Sequence, residues 1–371
     1  MIGSSLQLIA RRSLANWRLL SAVAAGVVLA VTIMATTVIY FEALRNLALQ
    51  YAVSREAPAD LDVRLRGASL PVNRTEHEAI LGLVETSIDR SLGPYLAGRQ
   101  YGIRSSAFEV QPTAADREAE AAGFGGGVKR RVIFTVFPGI EDHVEMVSGR
   151  PPGAVARAAA GEVLRPEVMV PLEAAREYEW SVGDSLVASP GWDEANPPAE
   201  PVITGLFTRL DPEDAFWGIH DAVFGFAEAR FSFAIAVVPE PVFIDVLGPH
   251  FPNMGSTYGW WLDTDTSELR ASSVDTVRSG LATLKADLRP IVDGYWQATE
   301  LDEVLSSFEE KLFFNRLPML IVLVIVVLVV LYYAITLASL LVDAQREEIS
   351  LLRTRGASGT QVVLVFVIEA A

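Results

Sequence analysis

Two long apolar runs dominate the pattern of hydrophobic and polar positions. Leu19–Phe41 provides 23 consecutive residues without a charge, and Leu317–Val342 provides 26 more. Because a helix rises about 1.5 Å per residue, each run can cross a hydrocarbon core of about 30 Å. The pattern predicts a multi-pass protein of the cell (cytoplasmic) membrane with α-helical transmembrane spans at 19–41 and 317–342. The apolar residues at 362–371 predict the start of a truncated third span, which would make the chain a fragment or a split-gene product.

The charges around these runs predict their orientation. Residues 1–41 carry three arginines and no acid, which places the N-terminus in the cytoplasm. Residues 1–18 are predicted to form a cytoplasmic amphipathic helix at the membrane surface. The run that follows is longer than the apolar core of a signal peptide, which favours an uncleaved anchor. Residues 42–310 would then be extracytoplasmic. They hold 42 acidic and 22 basic residues, a net charge of −20, which argues against nucleic acid as a partner.

Residues 42–310 mix two periodicities. Thr75–Leu92 and Glu268–Leu288 carry apolar stripes typical of amphipathic helices, and Leu301–Arg316 is also predicted to be helical. Runs with the character of strands lie between them, at Asp62–Leu65, Arg131–Phe137, Glu167–Val170, Ser185–Ala188, Val202–Phe207 and Phe231–Val238. The pattern predicts a large α+β domain inserted between the first and second spans. The chain has no cysteine, so this domain would depend on its apolar core alone.

The sequence offers no recognisable catalytic or metal-binding constellation. The glycine-rich stretch Ala121–Val128 precedes Lys129 and Arg130, whereas a phosphate-binding loop needs Gly-Lys-Ser/Thr in succession. The densest group of candidate metal ligands is Glu141, Asp142, His143 and Glu145, which lacks the spacing of a metal site. Asp263, Asp265 and Glu268 match only part of a calcium loop. We therefore expect a protein that is not an enzyme and needs no cofactor.

Residues 343–361 predict a cytoplasmic contact for a soluble partner. Helix-forming residues continue from Val342 to Arg355, Gly356 suits a left-handed helix C-cap, and Ser358 suits an N-cap for the next helix. The helix has an apolar side and several charges. The predicted contact residues are Arg346, Glu348, Ile349, Leu351, Leu352, Arg353 and Gly356. An ordinary cytoplasmic loop with arginines explains these residues as well when they are taken alone.

The segment R-E-E-I-S-L-L-R-T-R-G-A-S-G-T-Q-V at 346–362 resembles the signature after the second membrane helix in FtsX-like permeases of ABC transporters, the family that includes MacB-type and LolC/LolE-type proteins. A second similarity lies in V-S-G-R-P-P at 147–152, P-E-V-M-V-P-L-E-A-A at 166–175, W-S-V-G-D-S-L-V at 180–187 and P-V-I-T-G-L-F at 201–207. These segments resemble the family's extracytoplasmic core domain. There, a Gly-Arg turn leads to a strand, a short helix, a Val-Gly-Asp turn and a second strand.

The resemblance implies a non-catalytic permease subunit that couples ATP-driven motion of a separate ABC ATPase to the extracytoplasmic domain. The implied partners are that ATPase, a second permease copy or paralogue, and membrane lipid. The substrate stays open among export, lipoprotein or lipid handling, and cell-wall regulation. The family has at least four spans, so the chain would represent its N-terminal portion. A two-span receptor with an extracytoplasmic ligand-binding domain is the alternative, and a membrane-anchored hydrolase ranks last because no nucleophile or metal constellation is present.

Overall fold

A computed structural model describes residues 17–110, 130–153, 163–192, 196–212, 214–217 and 232–344. The chain divides into two compact units. One comprises residues from Met1–Ala48 and Ser307–Ala371, and the other comprises Leu49–Ser306. The predicted helix at 1–18, apart from its last two residues, lies outside the described residues. The predicted contact after Ala344 and the predicted third span also lie outside them.

The first unit contains most of two helices, α1 (Trp17–Val53) and α8 (Leu301–Ala344), and residues 49–53 and 301–306 of these helices belong to the second unit. Both expose apolar side chains over successive turns. Val28, Leu29 and Ile39 of α1 are 61–69% exposed, and Leu328 and Tyr332 of α8 are 58% and 73% exposed. Across the described residues, no helix combines the length and the apolar character that a membrane crossing requires.

The second unit is a mixed α/β domain with a large sheet. Its helices are α2 (Pro58–Leu61), α3 (Arg74–Ser91), α4 (Leu172–Tyr178), α5 (Glu240–Val242), α6 (Gly248–His250) and α7 (Val274–Leu288). A π turn, Phe243–Leu247, joins α5 to α6. The strands are β1 (Val63–Leu70), β2 (Leu96–Ser105), β3 (Phe108–Val110), β4 (Arg130–Val136), β5 (Val144–Gly149), β6 (Glu167–Pro171), β7 (Ala188–Pro190), β8 (Val202–Arg209), β9 (Ser232–Val237), β10 (Ser256–Thr264) and β11 (Trp296–Ala298).

One half of the sheet is a split β-α-β arrangement. Its strands lie in the order β11-β1-β10-β2, and all neighbours are antiparallel. Helix α3 connects β1 to β2, and α7 connects β10 to β11, which is the connectivity of a ferredoxin-like unit. The two helices pack together, and Gly280 of α7 allows close approach, since an added Cβ would lie 2.3 Å from the Ser91 carbonyl oxygen. Asn73 caps α3 by accepting a hydrogen bond from the Glu76 amide at 2.9 Å.

Residues 106–255 form an insertion between β2 and β10 of this unit. The sheet continues from β2 through β4, β9, β6, β8 and β5, while β3 pairs with both β4 and β7. Strand β4 joins the insertion to the first half through Ile103 paired with Val136 and Arg104 paired with Thr135. Two neighbouring pairs, β4 with β9 and β6 with β8, are parallel. Parallel neighbouring strands must be joined by crossover connections, so the insertion is a small α/β unit within the same sheet.

A hydrophobic cluster joins the insertion to the first half of the sheet. Trp261 of β10 packs among side chains contributed by the insertion, and all of them are 9% exposed or less. The cluster contains Phe137, Ile140, Val144, Met169, Phe207, Phe216, Trp217, Val237 and Trp261. Burial of a large apolar side chain contributes about 1.5–3 kcal/mol. We infer that this contact fixes the insertion against the split β-α-β unit.

Several predicted elements lie where the pattern places them. Helix α3 matches the stripe at Thr75–Leu92 to within a residue at each end, and β4, β6, β8 and β9 overlap their predicted runs. Two predictions were wrong in detail. Helix α7 begins at Val274 rather than Glu268, since residues 266–273 form turns around Asp265 and Ser273. Of the strand predicted at Ser185–Ala188, only an isolated bridge at Ser185 and the start of β7 are present.

Candidate functional site

The residues predicted to contact an ATPase lie outside the described part of the chain. They are Arg346, Glu348, Ile349, Leu351, Leu352, Arg353 and Gly356. The glycine-rich stretch Ala121–Val128 also lies outside it. The candidate sites that the structure places are therefore all within Leu49–Ser306.

The Gly149-Arg150 turn forms a close junction with β8. Gly149 has a φ of +78°, and an added Cβ would lie 2.1 Å from the Thr204 carbonyl oxygen. The Arg150 amide donates to that same oxygen at 2.8 Å. The positive φ and the close backbone approach both favour glycine at this position.

Arg150 ties this turn to β6. Its guanidinium makes two hydrogen bonds to the Glu167 carboxylate, at 2.8 and 2.5 Å, and the Gly153 amide donates to the same carboxylate at 2.7 Å. Hydrogen bonds from Arg150 and then from Gly153 lower the pKa of Glu167 below its usual range. The ion pair thus holds the end of β5 beside the start of β6.

The Val182-Gly183-Asp184 turn packs against the same strand β8. The Asp184 carboxylate accepts a hydrogen bond from the Ser181 amide at 2.7 Å, and Gly183 has a φ of +98°. The Gly183 amide donates to the Ile203 carbonyl at 2.8 Å, and the Ile203 amide donates to the Asp184 carbonyl at 2.9 Å. The segments at 147–152, 166–175, 180–187 and 201–207 therefore form one packed unit, with the elements in the order expected from their sequence.

A cavity of about 490 Å³ opens beside this packed unit. It lies where the parallel strands β4 and β9 end, and the loops that follow these strands form much of its wall. Ligand sites in α/β sheets are commonly found at the carboxyl ends of parallel strands. The lining residues are Val136, Phe137, Pro138, Gly139, Ile140, Glu141, Val144, Met146, Pro151, Pro152, Met169, Val237, Val238, Pro239 and Glu240.

Glu240 connects this cavity to a buried polar network. Its carboxylate lies 3.2 Å from Nε2 of His77 and accepts a hydrogen bond from the Tyr101 hydroxyl at 2.7 Å. Nδ1 of His77 lies 2.9 Å from the Tyr258 hydroxyl. Because an ionised carboxylate can only accept, Nε2 of His77 donates to Glu240. The network joins the start of α5 to α3, β2 and β10.

The electrostatics of the network favour an ionised Glu240. The hydrogen bond from His77, assisted by that from Tyr101, lowers the pKa of Glu240 despite its partial burial. Burial and the nearby carboxylate raise the pKa of both Tyr101 and Tyr258. His77 is 1% exposed, so its two partners satisfy a ring that would otherwise be costly to bury.

Two of the residues considered as metal ligands, His143 and Asp265, make local structural contacts. Nδ1 of His143 lies 2.8 Å from the Asp214 carboxylate, and the ring stacks on Phe216 with centroids 4.0 Å apart. Asp265 accepts hydrogen bonds from the amide and hydroxyl of Ser267 within one turn. Among the described residues, no group of three or more potential ligands is placed to hold a metal ion.

Sequence reasoning did not find the Glu240 network. His77 appears as an isolated histidine on a helix, and its partner Glu240 lies 163 positions away. The available signal was Pro239-Glu240-Pro241, which places a carboxylate at the start of a helix directly after strand β9.

Comparisons with known proteins give a distant likeness among solved structures. No protein family model matches the chain. No curated protein matches it either. Among solved structures, the chain is similar to "a domain of a putative Permease protein" from Porphyromonas gingivalis. The match has 12% identity and a TM-score of 0.27, and it covers 65% of this chain and 89% of that one.

Proposed function

We propose that the chain is a non-catalytic permease subunit of an ABC transporter complex. In this proposal, a separate ATPase binds at residues 343–361, and its ATP-driven motion is transmitted to the domain Leu49–Ser306. The observation that carries the proposal is the packed unit built from Gly149-Arg150, Glu167, the Val182–Asp184 turn and β8. Its sequence is the one that resembles the core domain of FtsX-like permeases.

The two uncharged apolar runs of the sequence are what favour a membrane location, since no described helix meets the requirement for a membrane crossing by itself. The run Leu19–Phe41 lies within α1, and Leu317–Val342 lies within α8. Neither run contains a charge, and both helices expose large apolar side chains. Contiguous exposed apolar surface typically marks an interaction with lipid or protein. We propose that these two segments span the cytoplasmic membrane, with the N-terminus and residues 343–361 in the cytoplasm.

The sequence after α8 supports an ATPase as the cytoplasmic partner. Ile349, Leu351 and Leu352 would provide apolar anchors, while Arg346, Glu348 and Arg353 would set the register by charge complementarity. Helix α8 is described as far as Ala344, the second residue of this segment. We propose that motion of the ATPase passes through α8 to the outer domain, without substrate passing between the membrane helices.

Capture of the ATPase tests this proposal. We expect the tagged chain, purified from its own cells, to bring down a protein that carries a phosphate-binding loop. The double variant Leu352→Asp with Arg353→Glu is expected to lose that protein, because it removes one apolar anchor and reverses one charge. Ile291→Asp with Arg289→Glu is the matched control, since Ile291 is 61% exposed in the outer domain. Equal capture by the two double variants would show that residues 343–361 are not the contact.

The same experiment separates the receptor alternative from the permease. A receptor would bring down a signalling partner and no ATPase. The cavity beside Glu240 is compatible with a ligand-binding receptor domain, so the identity of the cytoplasmic partner decides between the two classes.

A further inference from the structure

The cavity at the ends of β4 and β9 has the chemistry of a small-molecule site. Its volume of about 490 Å³ lies within the range of about 300–1,000 Å³ that is typical of ligand pockets. Phe137, Ile140, Met146 and Met169 give it an apolar wall together with several prolines. Methionine side chains adapt readily to differently shaped apolar ligands.

The ionisable side chains that line the cavity are both acidic. Its ionisable lining residues are Glu141 and Glu240, and no lysine or arginine is among the described residues that line it. An anionic ligand would therefore meet two carboxylates, with no lysine or arginine among the described lining residues to offset them. A ligand with one positive charge would meet a carboxylate at the edge of an apolar wall.

Glu240 is held in position for such a contact. His77 and Tyr101 each bind one of its two oxygens, so the carboxylate orientation is fixed before a ligand arrives. A carboxylate has about four lone-pair sites, and these two hydrogen bonds leave further acceptor capacity. The side chain is 27% exposed, so that capacity is accessible. A carboxylate already oriented in this way avoids the entropy cost of ordering it on binding.

We propose that this cavity binds a small apolar molecule that carries a single protonated amine. The apolar body lies against Phe137, Ile140 and Met169, and the ammonium group donates hydrogen bonds to the Glu240 carboxylate. The site lies entirely within Leu49–Ser306, and the proposal does not depend on the ATPase contact.

Three probes of the same shape test the proposal. The full chain is placed in phosphatidylcholine nanodiscs and titrated calorimetrically with 4-phenylbutylamine, 4-phenylbutan-1-ol and 4-phenylbutyrate, with empty nanodiscs as the blank. A charge-assisted hydrogen bond predicts that the amine binds at least about tenfold more tightly than the alcohol, and the carboxylate most weakly. Equal binding of amine and alcohol would overturn the proposal.

Two variants on β5 locate the site. Val144→Trp fills the cavity and is expected to abolish amine binding. Val147→Trp makes the same substitution on the same strand at a side chain that is 50% exposed and outside the lining. It is expected to leave binding unchanged. Amine binding that survives Val144→Trp would place the ligand elsewhere.

Glu240→Gln tests the charge without filling the cavity. It is expected to remove most of the amine's advantage over the alcohol, whereas Glu141→Gln retains most of it. An unchanged advantage in Glu240→Gln would overturn the role of this carboxylate. No ATPase is present in these titrations, so their failure leaves the capture experiment unaffected, and the reverse also holds.

Discussion

Replacing Gly149 by alanine tests the packed unit on which the proposed function rests. A residue with a side chain at positive φ costs about 1–2 kcal/mol. At Gly149 the new Cβ would also lie 2.1 Å from the Thr204 carbonyl oxygen, so β5 and β8 must separate. Forced overpacking typically adds about 1–3 kcal/mol. We therefore expect Gly149→Ala to lower the free energy of unfolding by about 2–5 kcal/mol.

Gly139→Ala provides the matched control. Gly139 has nearly the same φ, +80°, but no atom lies within 4 Å of the position that an added Cβ would take. It should lose only the conformational part, about 1–2 kcal/mol. Since 1 kcal/mol shifts Tm by about 2–4 °C in a domain of this size, the two variants are expected to differ by several degrees.

Thermal melting followed by tryptophan fluorescence measures this difference. Six of the seven tryptophans lie in Leu49–Ser306, so the signal reports mainly on this domain. If Gly149→Ala and Gly139→Ala lower Tm equally, the close approach of β5 to β8 contributes nothing, and the reasoning is refuted.

Two further predictions concern helix packing and pH. Gly82→Ala in α3 meets no neighbouring atom and is expected to stabilise the domain by up to about 1 kcal/mol. Gly280→Ala in α7 is expected to destabilise the domain, because the new Cβ would contact the Ser91 carbonyl oxygen. The opposite order of Tm values would contradict the close packing of α3 against α7. The pKa of Glu167 is lowered, so its ion pair with Arg150 stabilises the fold above the ordinary carboxyl pKa and is lost as pH falls through the lowered value. Arg150→Gln should therefore reduce the acid dependence of Tm, and an unchanged dependence would refute this role.

The periodicity of apolar residues within one segment predicted the helices and strands that bury one face. The apolar residues Val84 and Ile88 of α3 are fully buried, as a helical stripe requires, and Ile203 of β8 is likewise buried. Strand β2 was not predicted, because Gly98 and Gly102 interrupt its apolar pattern.

Pairings between distant segments could not be predicted in the same way. Strand β10 pairs with both β1 and β2. In the sequence, however, the whole insertion 106–255 separates β2 from β10. Gly102 lies beneath the ring of Phe137, and an added Cβ would be 3.1 Å from it, which explains a glycine in this strand. The reason becomes visible only when the fold has brought the two residues together.

In the candidate site, too, local motifs were predictable from the sequence and long-range contacts were not. The motif segments around Gly149 and Gly183 were recognisable because each is a short local pattern. The cavity and the Glu240 network depend on contacts such as His77 with Tyr258, which are 181 positions apart. Neither side chain carries a pattern in its own neighbourhood that identifies the other.

The central claim is that Leu49–Ser306 and residues 343–361 lie on opposite sides of one membrane. Labelling of single cysteines tests this claim most directly. These 371 residues contain no cysteine, so single cysteines can be introduced without background labelling from this chain. Glu173→Cys, at an exposed position in Leu49–Ser306, is expected to react with a membrane-impermeant maleimide in intact cells. Gln345→Cys is expected to react only after the cells are permeabilised. Labelling of Gln345→Cys in intact cells, or protection of Glu173→Cys there, would contradict the proposed membrane arrangement.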